Sequence, residues 1–245
     1  MRLIDTHSHL FLEEFSEDFP QVIERARAAG VTHIFMPNID STTIEAMLSA
    51  CSVYKGYCFP MIGLHPTSVN DNYEKELEIV ARELKFSKEY VAIGEIGMDL
   101  YWDKTYLKEQ QIVLDKQVNW ALEYDLPIVI HCRDAFDYIY KVLEPYKKTP
   151  LRGIFHSFTG TAEEATRVLE FSDFFIGING VVTFKKSHLP EILAGIPLEK
   201  IVLETDSPYL TPVPNRGKRN ESAYVKDTSV SYTHLRAHET KANLV

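Results

Sequence analysis

Eight residues with ionisable side chains recur at or just after the carboxyl ends of short apolar runs. They are His7 and His9 in LIDTHSH, His65 in MIGLHP, Glu95 in VAIGEIG, His131 in IVIHCRD, His156 in GIFHSF, and Glu204 and Asp206 in IVLETDSP. A lone histidine after an apolar run is more often a satisfied core residue or a helix cap than a ligand. Six run ends sharing the habit make coincidence a poor account. Imidazole and carboxylate together suit Zn, Mn, Fe or Ni, whereas a site for Mg or Ca alone normally draws on more oxygen. On an extended strand, residues i and i+2 point to one face, so His7 and His9 can turn toward one ion.

Four histidines and two carboxylates exceed what one tetrahedral site needs, so two divalent ions are expected, with Mg, Mn and Zn all open. A carboxylate can bind one ion with each oxygen and hold the pair about 3.5 to 4 Å apart. Glu95 is the natural bridge. His7, His9 and Asp206 are assigned to the first ion and His131 and His156 to the second, with Glu95 shared. A water held there would titrate near pH ~7, which is hydrolase chemistry.

Residues so far apart in sequence meet only if the fold brings the run ends together. Eight short apolar runs are candidate strands: Arg2–Thr6, His33–Pro37, Phe59–Leu64, Val91–Glu95, Pro127–Ile130, Gly153–Phe155, Phe174–Ile178 and Ile201–Leu203. Helical patterns separate most of them, at Glu17–Ala29, Ser41–Tyr54, Glu74–Lys88, Tyr106–Tyr124, Ala135–Tyr146, Thr161–Phe171 and, more weakly, Leu189–Gly195. This alternation predicts an α/β fold, a (β/α)8 TIM barrel, whose strand ends share one rim.

Composition narrows the function classes. The chain has 245 residues, 45% hydrophobic and 25% charged, and 26 Lys and Arg against 35 Asp and Glu give a net charge of −9. It lacks the broad basic footprint of a DNA-reading module, so any nucleic-acid contact must be local. Cys51, Cys58 and Cys132 form no CxxC pair and are expected as reduced thiols. No signal peptide or membrane span is expected, since Asp5, His7 and His9 interrupt the start and Phe174–Phe184 is too short to cross a bilayer. A cytoplasmic location follows as the expectation.

The blocks DTHSHL, IGLHP, AIGEIGMD, IHCRDA, FHSFTG, GVVTFKK, LETDSPYLTP and NRGKRNE stand in an order that resembles the TatD family of metal-dependent deoxyribonucleases, within the amidohydrolase-like barrel superfamily. The resemblance runs from Met1 to about Asp227. It implies divalent metals at His7, His9, Glu95, His131, His156 and Asp206, and hydrolysis of phosphodiesters, often from a 3′ end, with DNA as the substrate. The spacing points to a metallohydrolase; only the resemblance says nuclease.

On that reading Asp206 takes the proton of the attacking water. Glu204, two residues earlier, orients Asp206 or the water, or else forms a buried strand-end salt bridge. His65 binds phosphate or protonates the leaving oxygen, with a structural role as its rival. Arg133 suits a phosphate, or a structural carboxylate. Arg216 and Lys218, in the compact basic run ending at Arg219, are candidates for holding a nucleic-acid backbone. Tyr101 and Trp102 suit base stacking or simple packing. His33 is expected to pack inside the second strand and His188 to sit on a surface loop. His234 and His238 have the i, i+4 spacing of a zinc helix but lack its glutamate, and are rejected as a site.

Two other functions compete. One is an amidohydrolase or D-aminoacyl-tRNA deacylase using the same metals on an ester or amide. The other is a non-enzymatic nucleic-acid-binding barrel, against which the intact ligand set argues. No obligate protein partner is indicated. The stretch SYTHLRAHET departs from the family and has the look of translated adaptor sequence. The barrel is therefore expected to span 1–228. The segment 229–245 is read as an artefactual, disordered tail, with the last helix missing or replaced and an apolar flank left open near the first and eighth strands.

Overall fold

Eight parallel strands alternate with eight helices in the computed structural model, which describes the backbone of residues 2–242 and the side chains of residues 2–233. The first half runs β1 (Leu3–Asp5), α1 (Phe19–Ala28), β2 (Val31–Pro37), α2 (Ile44–Val53), β3 (Cys58–Met61), α3 (Tyr73–Phe86), β4 (Ile93–Asp99) and α4 (Leu107–Tyr124). The second half runs β5 (Ile128–Arg133), α5 (Phe136–Leu143), β6 (Gly153–Phe155), α6 (Ala162–Val168), β7 (Phe174–Ile178), α7 (Leu189–Ala194), β8 (Ile201–Leu203) and α8 (Val225–Ala242). This is the expected barrel order. Helix α3 shows why the pattern was readable: Leu77, Val80 and Leu84 are buried at i, i+3 and i+7, on one face. Helix α6 opens with a capping box in which Thr161 and Glu164 each satisfy the other's backbone N–H.

The ladder is continuous within two sheets, β1-β2-β3 and β4-β5-β6-β7-β8. Single bridges join them, Ile62 to Ile93 at one seam and Ser8 to Ser207 at the other. Isolated backbone hydrogen bonds continue both seams, including Gly94 N–H to Ile62 O at 2.9 Å and Thr6 N–H to Leu203 O at 3.1 Å. Beyond β2, Asn38 ties the seam again: its carbonyl accepts from Glu95 N–H at 3.1 Å and its own N–H reaches Gly94 O at 3.2 Å. The backbone of Glu95 is thus held from the opposite sheet.

Two glycines make room for the site. Gly97 pairs with His131 between β4 and β5 with φ +137°, and a Cβ there would lie 2.0 Å from His131 O. A Cβ on Gly177 would meet a Glu204 carboxylate oxygen at 2.5 Å. Any side chain at either position would push a site residue out of place.

Where a disordered tail and an open flank are expected, α8 continues through the suspect segment to Ala242 and touches β1, β8 and α7. Val225, Thr228, Ser229 and Tyr232 are all buried, at i, i+3, i+4 and i+7. This is a helical stripe, but two of its four members are small hydroxyl residues, so a search for apolar periodicity passes over it. The side chains of His234 and His238, and residues 243–245 of the expected tail, lie outside what is described. Among the described residues, no helix is long and apolar enough to cross a membrane.

Candidate metal centre and active site

His7 and His9 follow β1, His65 follows β3, Glu95 lies within β4, His131 within β5, His156 follows β6, and Glu204 and Asp206 follow β8. All converge at the carboxyl rim, and Glu95 is the hub. Its Oε2 lies 3.0 Å from His7 Nε2 and 3.5 Å from His9 Nε2. Its Oε1 lies 2.9 Å from His131 Nδ1, 3.4 Å from His65 Nε2 and 3.6 Å from His156 Nε2. Asp206 closes the ring: Oδ1 stands 3.8 and 3.7 Å from the Nε2 atoms of His7 and His9, and Oδ2 is 3.9 Å from His156 Nε2. Asp206 holds φ at +58°, a costly conformation for a residue other than glycine, and its N–H donates to His7 O at 2.9 Å.

A set of carboxylates behind this ring orients it. Glu204, fully buried, points Oε1 at His156 Nδ1 across 3.0 Å and accepts from Ser157 N–H at 2.5 Å. Of the two roles expected for it, its geometry matches the buried strand-end salt bridge, with His156 as the partner. Asp99 Oδ2 lies 2.9 Å from His131 Nε2. Asp5 accepts from both Thr205 N–H at 2.9 Å and Thr205 Oγ1 at 2.7 Å, locking the end of β1 to the residue between Glu204 and Asp206. Such partners fix ring orientation and basicity.

Burial opposes charge on every group here, so the shifts show which neighbours win. Burial, with His156 stacked 3.4 Å away, holds His7 well below the usual imidazole value. For His131 burial is outweighed by Asp99 and Glu95, which lift it to about 9. For His156 burial is outweighed by Glu204, Glu95 and Asp206, which lift it to about 10. Glu95 stays well below the carboxylate range despite burial, because His7, His65 and His156 surround it. Burial raises Asp206 to about 6, with His156 and His9 opposing.

The donor set fits divalent ions. His7, His9 and Glu95 form one group, His7, His156 and Asp206 a second, and His65, Glu95 and His131 a third; within each the ligand atoms lie within 4.8 Å of one another. Nitrogen and carboxylate oxygen at that spacing match borderline metals. His65, expected to meet phosphate or the leaving oxygen, stands with Glu95 and His131 in the third of these groups. Its Nδ1 accepts from Thr67 N–H at 3.2 Å.

The site opens into a cavity of about 610 Å³, lined by His9, His65, Glu95, Asp99, His131, Arg133, His156 and Asp206 among others. Arg133 is therefore at the site, its guanidinium stacked 3.9 Å over the Tyr101 ring. Arg216 and Lys218 are not among the residues lining it. Arg216 stacks 3.7 Å over Phe184, and Lys218 is exposed. Arg219, last of the basic run, is taken up structurally, bonded to Asp18 at 2.8 Å and placed over Phe15. His33 packs within β2, 5.4 Å from the Phe59 ring, and His188 is exposed.

Sequence reasoning missed Asp99, Asp5 and Asn38. Asp99 had a signal: at an even spacing from Glu95 it shares that residue's face once β4 is allowed to run to Asp99. Asp5 and Asn38 had none, because their partners are backbone groups and a threonine far away in the chain.

The model of the TatD related DNase family matches residues 4–242. The chain belongs to the TatD family. It is 40% identical over 225 residues to an uncharacterized metal-dependent hydrolase, YabD, of Bacillus subtilis, covering 91% of this chain and 87% of that protein. It is 32% identical over 229 residues to the 3′-5′ ssDNA/RNA exonuclease TatD of Pantoea ananatis, again covering 91% and 87%. The crystal structure of YjjV, a TatD homolog from Escherichia coli K12, superposes with a TM-score of 0.89 at 28% identity, covering 99% of this chain and 95% of that one. The protein is thus a TatD-family metal-dependent hydrolase on a barrel that its relatives share.

Proposed function

We propose that this TatD-family hydrolase is a two-metal nuclease that removes nucleotides from the 3′ end of single-stranded nucleic acid, DNA above all. The observation that carries the two-metal part is the division of Glu95: one oxygen faces His7 and His9, the other His131, His65 and His156. His7, His9, Asp206 and Glu95 Oε2 would hold one ion; His131, His156 and Glu95 Oε1 the other. Bound there, divalent ions would acidify an attacking water and neutralise charge on the phosphoryl oxygens. The nucleic-acid part is supported by the family and by the exonuclease relatives.

The chain's own groups supply the rest. Asp206, 15% exposed on its side chain and lining the cavity, is placed to take a proton from water entering there. His65, whose Nε2 stands 3.4 Å from Glu95 Oε1, lines the cavity where a phosphate or leaving oxygen would sit. Glu204 and Asp99 hold His156 and His131 in place. Arg133 at the cavity wall suits a phosphate, with Arg216 and Lys218 guiding the strand farther out.

The test is to give the purified protein Mg, Mn or Zn and offer it 5′-labelled single-stranded DNA, duplex DNA and single-stranded RNA, beside the His131→Ala variant. Shortening from the 3′ end that the variant has lost is expected, with about two ions per chain. A wild type that hydrolyses a simple ester or amide but releases no nucleotide with any metal overturns the reading.

A further inference from the structure

Beside the catalytic cavity stand two aromatic residues that the mechanism above does not use, next to Arg133, which it does. Tyr101 and Trp102, just beyond β4, are 50% and 79% exposed. Their rings meet edge to face, centroids 4.6 Å apart. The Arg133 guanidinium lies 3.9 Å from the Tyr101 centroid and 5.8 Å from that of Trp102, while Arg133 also lines the cavity. Phe86 is as exposed as Trp102, at 78%, but it closes α3 beside Lys85 and lines no described cavity. Trp102 lines no described cavity either, but it stands beside Arg133, which does.

We infer that Tyr101, Trp102 and Arg133 form a platform on which an unpaired nucleobase next to the scissile phosphate stacks, while Arg133 holds the adjoining phosphate. The inference rests on the nuclease reading and gives it a basis for choosing single strands. An aromatic face binds any base by stacking, without reading its identity. Inside a duplex both faces of a base are already stacked, so only an unpaired base offers a free one. A guanidinium laid flat on an aromatic ring keeps its edge donors free for phosphate oxygens.

The platform is wired to the site by hydrogen bonds. Tyr101 N–H donates to Asp99 Oδ1 at 3.1 Å, and Asp99 Oδ2 meets His131 Nε2 at 2.9 Å, whose Nδ1 meets Glu95. Leu100 N–H donates to Arg133 O at 2.9 Å, fixing the two loops against each other. A base seated on Trp102 is therefore held in register with the ring of His131 through one carboxylate.

The chain has two tryptophans, so a Trp120→Phe background leaves Trp102 as the sole indole reporter. In the metal-loaded full chain, a short phosphorothioate single strand resists hydrolysis and should quench that fluorescence. An abasic strand of equal length and charge should not. With cleavable strands, Trp102→Ala should raise KM for the base-bearing strand on the order of ten- to a hundred-fold with little change in kcat. It should leave the abasic strand unaffected, and Trp102→Phe should restore most of the loss. Equal quenching by both strands, no quenching, or an equal loss on both overturns the platform. A wild type that is quenched by bases but cleaves neither strand instead overturns the nuclease reading and leaves the platform standing.

Discussion

The two sides of Glu95 are built differently. On the side of β1 and β8, His7 and His9 keep side-chain exposures of 0% and 6%, and a buried polar chain backs them. Asp5 binds Thr205, Thr205 Oγ1 meets Ser207 Oγ at 2.8 Å, and Ser207 Oγ meets Ser8 Oγ at 2.8 Å. Asn220 clamps the same turn through the carbonyls of Thr205 and Tyr209. On the side of β3 and β5, His65 and His131 are 13% and 20% exposed and face the cavity, and one carboxylate, Asp99, orients His131 from behind. One side is closed by a buried polar network; the other is more open to the cavity.

The common hub should respond most. Glu95→Ala is expected to cost on the order of 10⁴-fold in hydrolysis, as for residues that act as one unit, and to halve the metal stoichiometry by elemental analysis. If both ions persist, the division of its two oxygens has been misread.

The open side comes next. Asp99→Asn should reduce activity or metal affinity by roughly 10- to 100-fold while the melting temperature stays nearly unchanged. The closed side should show the reverse balance. Asp5→Ala leaves the Thr205 N–H unpaired in a buried setting, at about 1–3 kcal/mol, and each kcal/mol lowers Tm by roughly 2–4 °C in a chain of this size. Equal Tm losses from the two variants would erase the contrast.

The outer lock of the closed side is electrostatic. Arg25 and Arg219 converge on Asp18, and Arg25 also grips Glu221 beside Asn220. The Arg219 hydrogen bond, with help from Arg25, holds the Asp18 carboxyl below its ordinary 3.8. A depressed carboxylate contributes stability that is present above the unfolded value and is lost as pH falls through the lower folded one. Urea midpoints should show Asp18→Asn less stable than wild type at neutral pH, with the gap closing only below about pH 4. A gap that persists in acid would assign the effect to packing.

The smallest effect belongs farthest from both sides. Arg216→Ala with Lys218→Ala should weaken strand binding modestly and flatten its dependence on log salt by about one to two units. An unchanged slope removes that loop from the path of the substrate.

Most of the positioning frame was legible because each element carries a local period. The strand Phe174–Ile178 and the helix ending at Tyr124 follow from apolar runs and spacing alone. The convergence of the site residues was legible for a different reason: a barrel converts position along a strand into position on a rim. What escaped depended on partners with no local trace. Asp99 was lost by ending β4 at Glu95. Asp5 counted only as a polar break in the amino-terminal run, and the salt bridge considered for Glu204 had no named partner because sequence distance says nothing about the Nδ1 of His156. The stripe of α8 was hidden because Thr228 and Ser229 are polar residues filling buried positions.

The two seams give the site a second office. The strands fall into a group of three and a group of five, joined by single bridges, and the candidate site draws on both: His7, His9 and His65 from the smaller group, Glu95, His131, His156 and Asp206 from the larger. Whatever binds across that set also couples the two groups, so its free concentration enters the unfolding equilibrium by mass action. For this barrel a chelator would act as a mild denaturant, and the cooperativity of unfolding would depend on the metal content of the buffer.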